Sequence, residues 1–161
     1  MFKYKQKGFT LIGVITTLFI VTIGLVGVIS LANMSLKSAT TSKMRLIAAG
    51  LAQEGIEVIR DIRRANSDAT GWSNWYNAIV NDNYLVQYDK DYLISFSDTT
   101  LLKIDAQGFY QYDSGNDSPF YRRINFNKIS SNELQLTVEI KWYLRGQWSY
   151  LTVEDRLWDW K

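Results

Sequence analysis

The chain has 161 residues, with 18 Lys plus Arg against 16 Asp plus Glu and neither cysteine nor histidine; disulfides, thiolate or imidazole metal sites and every Ser-His or Cys-His catalytic arrangement are therefore excluded. Its length allows one anchoring segment and one folded domain of the ~100 to 150 residues that domains usually take, and excludes a second large one. Lys3, Lys5 and Lys7 fall at the very start, and the remainder is close to neutral, which argues against the clustered basic excess of nucleic-acid binders.

Those three lysines lead into Gly8-Phe9-Thr10-Leu11-Ile12, and no charge follows until Lys37. In between, Val14, Ile15, Leu18, Phe19, Ile20, Ile23, Leu25, Val28, Ile29 and Leu31 give continuous apolarity without a polar face. A bilayer core of ~30 Å takes ~20 helical residues, so the segment is long enough to span. The apolar region of a cleaved secretory signal is shorter, ~7 to 15 residues, and ends in a small-x-small cut. Lysines ahead of the helix predict a cytoplasmic N-terminus and export of the chain beyond the helix.

From Lys7 to about Leu36 this opening resembles the signal and anchor of type IV pilins and type II secretion pseudopilins. The resemblance implies cleavage by prepilin peptidase between Gly8 and Phe9 and N-methylation of Phe9 by the peptidase/methylase. It also implies that the apolar helix stays on the mature chain and trades lipid for the helices of other pilin subunits at an assembly platform. One position departs from the pattern: the fifth residue after the cut is usually glutamate, and here it is Gly13. A charge near the bilayer centre costs roughly 2.5 to 3.5 kcal/mol on insertion scales. In the family, a neighbour's terminal ammonium offsets that cost, and Gly13 cannot provide the pairing. The departure points to a minor rather than a bulk subunit. Gly24 and Gly27, set among Thr22, Ile23, Val26, Val28 and Ile29, weaken the helix. They fit either local melting on assembly, as the resemblance implies, or close helix packing in the membrane.

Beyond Ser38, Met44, Ile47, Leu51, Gly55, Val58 and Ile62 recur at three- and four-residue steps and predict an amphipathic continuation of the same helix to Arg64. The run from Leu51 to Arg60 resembles the equivalent helix of PilV-like minor pilins. Glu54, Glu57 and Arg60 read as a solvated helix face rather than an acid/base set, since no nucleophile accompanies them.

The stretch from Asn66 to Gly71 predicts a helix break, and residues 75–80 a short helix. Strand patterns come next at residues 85–88, 92–96, 101–104, 109–112, 120–127, 133–144 and 148–157, separated by turn residues that include Asp113 to Pro119 and Arg145-Gly146. In Leu134, Thr137 or Val138, Ile140, Trp142 and Leu144 the period of two is clear, so one sheet face is apolar and the amphipathic helix is its natural cover. Asp113, Asn116 and Asp117 read as turn formers, with a calcium loop as the alternative. Tyr110, Tyr112, Tyr121, Trp148, Tyr150, Trp158 and Trp160 read as cross-strand pairs, with a ligand or glycan platform as the alternative. Arg122 and Arg123 are adjacent on a strand and point to opposite faces, which makes a poor phosphate track.

The expected fold is α+β, a long N-terminal helix packed on a C-terminal antiparallel sheet. Its expected segments are a leader (1–8), a transmembrane or filament-core helix (9–36), an amphipathic helix (37–64) and a sheet domain (65–161). The function these residues suggest is that of a minor type IV pilin held in the cytoplasmic membrane and then built into an extracellular filament. A type II secretion or competence pseudopilin and a single-pass anchored adhesin or receptor are the alternatives. No enzyme activity, cofactor, metal or nucleic-acid partner is expected.

Overall fold

The structure is a computed structural model that describes residues 10–80 and 82–159. The chain divides into two compact units, Met1–Met44 and Arg45–Lys161, and the helix α1 (Leu11–Thr70) contributes to both.

In the first unit the described residues form a helix after Thr10. No proline interrupts it, the single proline of the chain being Pro119, and Gly24 and Gly27 sit within regular helix.

In the second unit α1 runs through the Asn66–Thr70 stretch expected to break it and stops at Gly71. Gly71 has φ +84°, a left-handed conformation that ends a helix at little cost only in glycine. A short helix α2 (Trp72–Ala78) comes after it, starting three residues before the predicted one, and buries Trp72 and Trp75.

The strands are β1 (Asn83–Leu85), β2 (Ile94–Ser95), β3 (Lys103–Ile104), β4 (Tyr110–Gln111), β5 (Asn116–Asp117), β6 (Phe120–Ser130), β7 (Glu133–Leu144) and β8 (Gln147–Trp158). They make a five-stranded sheet in the order β2-β1-β6-β7-β8 and a small one in the order β4-β3-β5, with every pairing antiparallel. Asn116 and Asp117, expected in a turn, instead pair with Ile104 and Lys103. The β7–β8 turn is Arg145-Gly146, with φ +52° and +83°; positive φ at both central residues is the type I′ geometry whose twist suits a two-residue hairpin.

Alternation along β6 and β7 builds the core. Phe120, Arg122, Ile124 and Phe126 face inward with Leu134, Leu136, Val138, Ile140 and Trp142, each no more than 2% exposed. The buried stripe of α1 is Ala48, Leu51, Ala52, Ile56, Ile59 and Ile62 together with Gly55. Met44, Ile47 and Val58, expected in that stripe, are only half-buried. Small residues mark the contact line because the backbone comes close to the sheet: a Cβ at Gly55 would stand 3.3 Å from Ile124 and 3.4 Å from both Arg122 and Val138. The fold is α+β, with the amphipathic half of the helix covering the apolar face of the antiparallel sheet.

β8 lies at the sheet's edge. Its Asp155 projects to the helix side and takes the Arg60 guanidinium at 2.9 Å, while Arg60 also holds Glu57 at 2.6 Å.

Candidate functional site

The N-terminal half of α1 combines two properties that water does not favour together. It is uncharged from Leu11 to Leu36, and its large apolar side chains are open, from 38% exposed at Val14 to 78% at Leu11. A helix apolar on every side requires cover by lipid or by other helices, and this one is long and apolar enough to cross a membrane. Its threonines fit that role. Thr16 donates to the Ile12 and Gly13 carbonyls at 3.0 and 3.1 Å, Thr17 to Gly13 at 2.7 Å and Thr22 to Leu18 at 2.7 Å. Hydroxyls returned to the backbone present no unsatisfied donor to an apolar surrounding.

Gly13 lies in the first turn, its N–H donating to the Thr10 carbonyl at 2.8 Å. A Cβ there would meet only Thr10 Oγ1 at 3.4 Å, and at Gly24 or Gly27 it would meet nothing within 4 Å. The chain itself therefore gives no steric reason for glycine at these places. Gly8 and Phe9 lie outside the described residues.

Elsewhere the charged residues singled out in the sequence are held in structural ties. Arg122 is fully buried; it donates to the Leu51 carbonyl (3.2 Å), the Glu54 carboxylate (2.9 Å) and the Val86 carbonyl (2.6 Å). Burial alone would lower its pKa, yet Tyr112 and Glu54 hold it above the ordinary value. Burial pushes the Tyr112 hydroxyl up, against the pull of Arg122. Arg123, on the opposite face, pairs with Glu139 at 2.9 Å. Glu54 is thus bound to Arg122, and Glu57 with Asp155 to Arg60, so of the three groups considered as an acid/base set Glu57 and Arg60 are paired and Glu54 is held by a different partner. Asp113 accepts from Gln87 at 3.0 Å and Lys90 at 3.2 Å, which hold its carboxyl below the usual value. The described residues contain no group of three or more His, Cys, Asp or Glu placed to hold a metal.

The aromatic set divides. Tyr110 packs edge-on against Phe120 and Tyr112 turns into the domain, whereas Tyr121 and Trp148 pair across the outer sheet face at 5.8 Å between centroids. Trp158 ends β8, and Trp160 lies outside the described residues. Sequence alone missed Gln87, which is fully buried and ties Asp89 and Asp113 together while accepting from the Tyr112 N–H at 2.8 Å. Gln87 falls in the Leu85–Tyr88 run read as a strand, where the alternation of a strand does not reveal which polar groups a single glutamine will tie together.

Residues 3–29 match the family model described as the prokaryotic N-terminal methylation motif. The chain opens as a prepilin does. No curated protein and no solved structure matches it. Taken with the exposed apolar helix, the motif supports a type IV pilin-like or pseudopilin chain that is anchored in a membrane and is a substrate of prepilin peptidase.

Proposed function

We propose that this chain is a minor type IV pilin. Prepilin peptidase cuts it between Gly8 and Phe9, Phe9 is N-methylated, and the helix behind it passes from the membrane into the core of a filament among other pilin subunits. The carrying observation is the uncharged, exposed apolar helix from Leu11 to Leu36, most of which lies within the residues 3–29 that match the methylation motif. Gly13 in place of glutamate supports the minor-subunit assignment, and the weak helix around Gly24 and Gly27 suits repacking on assembly. On this reading residues 1–8 are the leader, 9–36 the anchor and filament core, 37–64 its amphipathic continuation and 65–161 the exported domain. The N-terminus faces the cytoplasm until assembly, and the protein is structural rather than catalytic.

The same motif also serves pseudopilins of type II secretion and of competence systems, so that role is the second reading. Deleting the gene separates the two by whether a surface filament or a secretion or uptake activity is lost. The direct test is mass spectrometry of the protein from its native cell. The expected mature chain begins at N-methylated Phe9; an intact Met1 would mean a plain single-pass anchor, and a start beyond Leu36 would remove the anchor altogether.

A further inference from the structure

Residues paired across antiparallel strands share a face. The register therefore sets Tyr121, Lys141 and Tyr150 in one row on the outer side of the sheet, with Arg123, Glu139 and Thr152 in the next. Tyr143 and Trp148 extend the aromatic surface toward the hairpin end, their centroids 5.1 Å apart. The Lys141 ammonium lies over the rings of both Tyr121 (4.9 Å) and Trp148 (5.3 Å), a placement that steadies the platform by cation–π attraction. Tyr150 is 58% exposed.

The segment after β2 and this row together line an open cavity of about 240 Å³, whose walls include Asp98, Tyr121, Arg123, Glu139, Lys141 and Tyr150. Arg122 also lines the cavity, but its guanidinium is on the inward face of the sheet, bound to Glu54. Among the outward side chains the charges balance: Arg123 is paired with Glu139, and Lys141 and Asp98 carry opposite charges. A polyanion needs a cationic surplus to displace its counterions, and these groups offer none. The cavity offers the open ring of Tyr150, carboxylate acceptors, cationic donors and the hydroxyls of Ser97 and Thr100.

We propose that this cavity binds a neutral pyranose unit of a glycan. The apolar C–H face of the sugar lies on Tyr150, its hydroxyls donate to Asp98 and Glu139, and Arg123 donates to a ring substituent. The cavity is smaller than the ~300 Å³ at which pockets for drug-sized ligands begin; it accepts one ring and leaves further saccharide units to run onto Trp148 and Tyr143. Because the site lies wholly within the sheet domain, it stands whether or not the chain enters a filament.

The test uses the full chain in phospholipid nanodiscs, since sugar-headed detergents would compete. Saturation-transfer NMR reads titrations with methyl glucoside, methyl galactoside, methyl mannoside and N-acetylglucosamine, beside heparin and a single-stranded oligonucleotide. At least one neutral sugar should bind saturably. Tyr150→Ala should weaken it roughly two- to tenfold, the worth of one aromatic contact; Asp98→Asn should also weaken it, and Tyr150→Phe should retain it. Tyr92→Ala, an exposed ring outside the cavity, should leave affinity unchanged. The proposal is overturned if no neutral sugar saturates, if only the polyanions bind, or if Tyr150→Ala and Asp98→Asn both bind as the unaltered chain does. These changes are at exposed positions, so a folded protein is available for each measurement.

Discussion

A guanidinium taken out of water needs acceptors in place of its hydration shell. Arg122 finds three of them on two segments: the carbonyl of Leu51 and the carboxylate of Glu54 on α1, and the carbonyl of Val86 just past β1. Replacing it by methionine fills the space but strands two buried carbonyls and an acid, so Arg122→Met should lower stability by about 3 kcal/mol in urea unfolding of the full chain. Adding Glu54→Leu should restore part of the loss, because the lone carboxylate is then gone. A loss below about 1 kcal/mol for the single change would mean that water reaches the site. Strand alternation made the opposed directions of Arg122 and Arg123 legible in the sequence. What receives Arg122 was not legible, since Leu51 and Glu54 lie 71 and 68 residues away along the chain.

Elements with a sustained period were readable, and those without one were not. β6, β7 and β8 each run 11 or 12 residues, long enough for alternation to stand out. β2 to β5 have two residues each and owe their state to a partner strand rather than to a local pattern. The helix posed a different problem. The three- and four-residue steps rightly included Gly55 but placed the rest of the stripe partly on Met44, Ile47 and Val58, while the contact line also runs through Ala48 and Ala52, small residues that let the sheet approach. Gly55→Leu should accordingly destabilise by about 1 to 3 kcal/mol through overpacking against Ile124 and Val138, with Gly50→Leu, where a Cβ meets nothing within 4 Å, as the matched control. Thermal unfolding followed by tryptophan fluorescence would show the difference; equal midpoints would refute the close approach.

For the molecule as a whole, the decisive property is an open apolar helix surface in one unit of a chain whose other unit packs a core of its own. The surface and the motif that overlaps it were legible because they depend on composition and order alone. The proposed role makes Gly13 limiting, and the structure leaves room there for a longer side chain. Gly13→Glu should raise the amount of this chain in sheared filaments several-fold by immunoblot, since the added carboxylate can meet a neighbour's ammonium; an unchanged amount would end the pairing argument. The sheet's outer rim bears on such crowding. Exposed strand edges invite edge-to-edge joining into cross-β aggregates, and an inward-pointing charge is one of the devices that blocks it. Asp155, clasped by Arg60 on the edge strand β8, is such a charge. On the proposed role, where copies of this chain come together, Asp155 opposes the joining of neighbouring domains through β8.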